Sequence, residues 1–177
     1  MLMNCNLLTG KDVMDFYISP GKYAASSMTG EIQGRFTKFY ADNPSKVAMV
    51  TTQDRNARAL IWFCDDGMRI LDHVYGARHQ IYSIHNWAYY NNTYFLDSLP
   101  YKKRNEVRVT MCIDDHYFPY VDNFQFGEVN WEERKIILSL CSHKKTNVQL
   151  SSHDGEIYQF IDCNYIFDKT EPNPMAL

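Results

Sequence analysis

Three apolar runs set close together in the first half of the chain constrain the fold most. Residues 46–52, 57–64 and 68–75 are rich in Val, Ile, Trp and Tyr, and only Gln53-Asp54-Arg55-Asn56 and Asp65-Asp66-Gly67 separate them. Such residues fit a pleated, half-buried surface, and connections this short can join only antiparallel neighbours. The Asp66-Gly67 pair strengthens the second turn, because glycine supplies the positive φ that a tight hairpin needs. An antiparallel meander is expected, and the rest of the chain must pack on it.

Helical patterns flank the meander. From Thr9, which offers a capping hydroxyl, the segment 9–18 places Val13, Phe16 and Tyr17 at helical spacing until Ser19-Pro20-Gly21 stops it. A second helix starts near Thr29 and carries Ile32, Phe36, Phe39 and Tyr40 on one stripe before Asn43-Pro44 ends it. After Gly76 a third follows through Ile81, Ile84, Trp87 and Ala88, is broken by Asn91-Asn92, and leads to a fourth strand over residues 93–96.

The second half alternates less cleanly. Residues 100–104 read as a polar, basic loop and 107–113 as a fifth strand, while the aromatic segment 114–126 is too interrupted by polar residues and Pro119 for a central strand. Further strands are expected at 134–141, 146–150 and 156–166, with His153-Asp154-Gly155 as a turn and 170–177 as a frayed tail. No repeat or linker interrupts the chain, so residues 1–177 are read as a single domain.

Composition narrows the class. Hydrophobic residues make up 45% and charged residues 22%, the balance of a chain that buries a core. A formal net charge of -3 gives no general basic footprint, which argues against nucleic acid as a partner. No run of 18 apolar residues exists, and the start Met1-Leu2-Met3-Asn4-Cys5 lacks the pattern of a secretory leader, so neither membrane insertion nor export is expected. Five widely and irregularly spaced cysteines, Cys5, Cys64, Cys112, Cys141 and Cys163, read as free thiols in a reducing compartment.

Several of these segments together resemble an uncharacterised family of small proteins encoded by tailed bacteriophages. The series Asn43-Pro44, Arg58-Ala59-Leu60-Ile61-Trp62, Asp66-Gly67 and Asp72-His73-Val74-Tyr75 is similar to that family's N-P, R-A-L-x-W, D-G and D-R-x-Y pattern. Ser26-Ser27-Met28 looks like its Ser-Cys-Met, and the run from Phe118 to Phe124 like its later Pro-Tyr-x-Asp segment. The chain departs from the family at Ser27, at His73, and in lacking paired cysteines after the aromatic segment. The resemblance implies a phage protein acting in the host cytoplasm, and no activity comes with it. The order of elements also looks like that of GNAT acetyltransferases, in which an antiparallel meander leads into a helix whose N-terminus cradles the phosphates of acetyl-CoA. That analogy implies an α/β domain with a mixed, mainly antiparallel sheet and helices on its faces. Where the GNAT pyrophosphate loop is Arg/Gln-x-x-Gly-x-Gly/Ala, this chain has Tyr75-Gly76-Ala77-Arg78-His79-Gln80, with one glycine and one arginine.

Candidate sites divide between structure and chemistry. Arg58 and Asp72 fall on adjacent expected strands, where a buried charge pair would bridge the meander and a ligand anchor is the alternative. His73 falls on an expected strand, where a histidine more often serves structure than chemistry. Cys112, His116, Cys141, His143 and Cys163 include metal-ligating types without the tight Cys or His pairs of a zinc site, so no metal is expected. Asp114-Asp115-His116 cannot easily converge if extended, because neighbours in a strand point to opposite faces. No nucleophile elbow is present, and no catalytic residue is assigned.

The expectation is an accessory protein that binds a host protein, through His116, Tyr117, Phe118, Tyr120 and Phe124 with Lys102, Lys103 and Arg104 at the rim. It needs no cofactor. The alternative is an N-acetyltransferase taking acetyl-CoA at Gly76, Ala77 and Arg78, with Tyr117 or Tyr120 as general acid. A structural virion component is the third reading, and the oligomeric state is open.

Overall fold

The computed structural model describes residues 4–24, 34–113 and 123–140, together with the strand backbones 149–151, 157–161 and 165–168. The chain opens with β1 (Cys5–Thr9), α1 (Lys11–Ile18) and α2 (Gly34–Ala41), followed by β2 (Val47–Thr52), β3 (Ala57–Phe63), β4 (Arg69–Leu71) and β5 (Tyr75–Gly76). Next come α3 (Arg78–Tyr90), β6 (Tyr94–Phe95), a 3₁₀ turn (Leu96–Ser98), α4 (Tyr101–Glu106), β7 (Arg108–Cys112), β8 (Phe124–Asn130) and β9 (Lys135–Leu140). Three short strands, β10 (Gln149–Ser151), β11 (Ile157–Ile161) and β12 (Tyr165–Asp168), pair antiparallel in that order. Mixed α/β architecture with antiparallel sheets, as expected, is the result.

The meander forms because β2 and β3 are buried on both faces, which is why Val47 to Val50 reads as an unbroken apolar run. It is the centre of a sheet in the order β1-β2-β3-β4-β6, with β5 added to β3. All its pairings are antiparallel except β4 with β6, which run parallel with Ile70 opposite Tyr94 and Leu71 opposite Phe95. A parallel neighbour needs a crossover, and α3 provides it.

Alternation along β3 sends its residues to two cores. Leu60 and Trp62 join Val47, Met49 and Ile70 on one face, under α1, α2 and the separate β7-β9-β8 sheet. Ala57, Ala59 and Ile61 join Val50 and Leu71 on the other, under Ile84 and Ala88 of α3. Trp62 is the hub of the larger core, with its ring centroid 6.1 Å from Tyr40 and 4.9 Å from Phe124.

Several sequence expectations need correction. Thr9 ends β1 opposite Ala48 and does not cap α1, whose first residue follows Gly10 at φ 56. β1 itself went unread, because only five residues pair and most are exposed or half-buried. The third run of the meander is not one strand: it breaks after Leu71 and resumes at Tyr75. Residues 101–106 form α4 rather than a loop, since Pro100 stands just before a run of straight-chain Lys, Arg and Glu that favours helix. Phe124 and Phe126, expected in an aromatic loop, belong to β8 and point inward. The span 156–166 holds two strands, β11 and β12, not one. The tail 170–177 lies outside the described residues.

Candidate ligand cleft

The break after β4 has a defined geometry. Ile61 of β3 faces Leu71, whereas Arg58 faces Tyr75, so three steps along β3 are matched by four along its partner. One extra residue is therefore accommodated between Leu71 and Tyr75, which is a β-bulge at the carboxyl end of β4. Asp72 keeps its N–H on the Leu60 carbonyl at 2.9 Å and turns its carboxylate inward. That carboxylate accepts from the Trp62 indole at 2.8 Å, from the His73 N–H at 2.8 Å and from the Asn123 amide. A buried carboxylate needs such donors to replace its lost water.

Because β4 and β6 pair over only two residues, the two strands part just where the bulge begins. A cavity of about 400 Å³ opens there. Its walls are Leu71, Asp72, His73 and Val74 from the end of β4, Ile81 and His85 from α3, Phe95 and Leu96 from β6 and the 3₁₀ turn, and Asn123. The cavity lies outside the carboxyl ends of the parallel pair β4 and β6, the end at which open parallel α/β sheets hold their ligands. A second, more open hollow of about 550 Å³ is lined by His85, Asn86, Tyr89, Phe95 and Ser98. His85 and Phe95 line both. Their rings meet edge to face at 5.2 Å, and partial burial holds the His85 imidazole below its ordinary pKa.

The expected pyrophosphate turn is used otherwise. At Gly76, with φ +149, an added Cβ would lie 2.5 Å from the Ala57 Cβ, so close strand packing accounts for this glycine. The Ala77 N–H is taken by the Asn56 carbonyl at 3.3 Å, and Arg78 is exposed at the first position of α3. Asp54 reaches the same helix turn by accepting from the Gln80 amide. The Thr52 hydroxyl, then the Asn56 N–H, holds the Asp54 carboxyl at about 2, so an anion already stands at this helix start.

Arg58 and Asp72 do not form the expected ion pair. Both are buried, at 4% and 5% exposure, but Arg58 donates to the Ala24 carbonyl at 2.8 Å and the Tyr17 hydroxyl at 3.4 Å, and its guanidinium lies over the Tyr17 and Tyr75 rings. Aromatic faces and a carbonyl take the place of a carboxylate. His73 is exposed and packs edge-on against Tyr75 at 4.6 Å.

Of the expected contact surface, His116, Tyr117, Phe118 and Tyr120 lie outside the described residues. Phe124 is 0% exposed against Trp62 and is not available to a partner, a correction that follows from its inward register on β8. Lys102 and Lys103 are exposed on α4, whereas Arg104 is half-buried and donates to the Leu99 carbonyl at 3.0 Å. Exposed aromatics instead occur at Tyr82, Tyr89 and Tyr90 of α3 and at Tyr94 of β6. Sequence reading missed these, and missed His85, because it placed α3 through its apolar positions and left the other faces unassigned.

Cys141, His143 and Cys163 are outside the described residues, and among the described residues no group of three or more His, Cys, Asp or Glu could hold a metal ion. Cys112 is exposed. Burial, then the Asp66 and Asp65 carboxylates, pushes the Cys64 thiol up to about 12, which makes it a core side chain rather than a nucleophile. Among the described residues no helix is long and apolar enough to cross a membrane.

The chain was compared with family models, with curated proteins and with solved structures, and no match was found in any of the three.

Proposed function

We propose that the cleft between β4 and β6 binds an acyl thioester of coenzyme A, and that the domain is an acetyltransferase of GNAT type. One observation carries this reading: the parallel pair parts at a β-bulge, over a cavity of about 400 Å³ roofed by the crossover helix. The order of elements supports it, since a meander leads into a helix and then a further strand, the order that the GNAT resemblance implies. Bulges concentrate beside ligand sites because they interrupt the ladder and free backbone groups for something other than a strand. The phosphate end must be held without a glycine-rich turn, since Gly76 is packed on Ala57 and Asp54 occupies the start of α3.

Calorimetry and thermal shift with acetyl-CoA and CoA test this directly, because a ligand bound only by the folded state raises apparent stability. Saturable binding by the native chain, lost when Val74→Trp fills the cavity, is expected. A folded native chain that binds neither compound at millimolar concentration overturns the reading.

Partner binding in a host cytoplasm is the second reading, and a specific observation favours it. Tyr82, Tyr89, Tyr90 and Tyr94 are 61%, 71%, 80% and 54% exposed, and tyrosine is enriched where proteins meet. A single host protein recovered in stoichiometric amount by the native chain, and lost with the Tyr89→Ala, Tyr90→Ala double variant, is the expected result. Equal recovery by both chains removes this face from the reading.

A further inference from the structure

The two cavities share a wall, and that wall carries a titratable side chain. His85 faces the β4–β6 cavity with Ile81 on one side and the open hollow with Asn86 and Tyr89 on the other. The imidazole meets the Phe95 ring edge to face, with centroids 5.2 Å apart. An imidazole so placed can touch molecules arriving from either side.

We propose that His85 is the acid–base residue of the cleft, taking the proton of a primary amine that enters by the hollow beside Tyr89. This inference rests on the acyl-thioester reading of the β4–β6 cavity. The amine nitrogen attacks the thioester carbonyl carbon, and a C–N bond forms as the C–S bond breaks. The proton lost from nitrogen passes to the free imidazole nitrogen of His85 and returns to the departing thiolate. The products are an amide and free CoA, with His85 regenerated. No other reactant is required.

The surroundings suit the role. Partial burial keeps the imidazole in its neutral, proton-accepting form near neutrality. From the end of β4 the facing titratable groups are Asp72 and His73, and from α3 itself Tyr89. β6 and the 3₁₀ turn contribute Phe95, Leu96 and Ser98 to the walls, none of which titrates in this range. Asp72 is already committed to the Trp62 indole, the His73 N–H and Asn123, so it orients the bulge rather than serving as base. His73 lines only the first cavity and packs on Tyr75.

Acetyl-CoA with n-butylamine as probe acceptor, followed by thiol release across pH, tests the assignment on the native chain, His85→Gln and His79→Gln. Expected for His85→Gln is a fall in kcat on the order of 100-fold. Its acidic limb in the pH profile should vanish, and its affinity for acetyl-CoA by calorimetry should stay within about two-fold. His79→Gln, exposed on α3 and lining neither cavity, should keep both rate and profile. Imidazole resonances, followed by NMR while acetyl-CoA is added, should move for His85 and stay fixed for the exposed His79. If His85→Gln binds acetyl-CoA and turns over with the native profile, or if the native chain binds acetyl-CoA but transfers nothing to the amine, the role of His85 falls and the thioester site stands. If the native chain does not bind acetyl-CoA, both fall.

Discussion

On one face of the central sheet, Phe16, Tyr17, Tyr40, Trp62, Phe124 and Phe126 interlock beneath two helices and a second sheet. On the other face a single helix covers Val50, Ala57, Ala59, Ile61 and Leu71, and only Ile84 and Ala88 of that helix are fully buried. The first face has aromatic rings in contact across four elements. The second leaves two cavities under α3 and three exposed tyrosines on it. A dense interior tolerates few voids, so stability concentrates where packing is complete, and room for a ligand exists only where cover is thin.

The sharpest way to break this contrast is to remove its hub. Trp62→Ala should cost about 3–5 kcal/mol in urea unfolding, since a large ring leaves a void and the Asp72 carboxylate loses its indole donor. Ile84→Ala on the thin face should cost less, about 2 kcal/mol, because α3 can settle toward the sheet. Equal costs would mean that the two faces carry the fold equally. Asp72→Ala comes next, at about 1–3 kcal/mol, for leaving the indole N–H and the His73 N–H without their acceptor. Its loss should also weaken ligand binding in the cleft, joining the two faces through one side chain.

Two pH effects are smaller. His85 has its folded pKa below the unfolded value of about 6.5, so the unfolded chain binds more protons in that interval. Stability contributed by neutral His85 is present above about pH 6.5 and declines as pH falls through that value, and His85→Gln should flatten this part of the curve. Asp54 works at lower pH. Its carboxyl sits at about 2 through the Thr52 hydroxyl first and the Asn56 N–H next, so its contribution is present above the unfolded value of about 3.9 and fades toward pH 2. Asp54 is solvent-exposed, so Asp54→Asn should cost at most about 0.5 kcal/mol at neutral pH, with the difference from native gone near pH 2.

Much of the fold is legible in the sequence because it is local. The unbroken apolar runs of β2 and β3, the Asp66-Gly67 turn and the 3.6-residue spacing of Val13, Phe16 and Tyr17 each report burial within a few residues. β1 and α4 escaped, the first because its outer residues are polar or exposed, the second because its charges resemble a loop. The candidate site was scarcely legible. Its walls come from residues 71–74, 81, 85, 95–96 and 123, which the sequence assigns to separate strands, a helix and an aromatic loop with nothing to say that they meet.

Alone, the amino-acid order determined an α/β chain built on an antiparallel meander with a helix following it, since apolar periodicity and turn chemistry act between near neighbours. Tertiary structure decided that Arg58 lies on two tyrosine rings and not on Asp72, and that Phe124 is core and not surface. It also brought His85 to the wall between two cavities. Those outcomes depend on register and on which elements stack. A one-residue slip between Leu71 and Tyr75 turns a continuous strand into a bulge, and contacts between residues far apart in the chain leave no periodic trace along it.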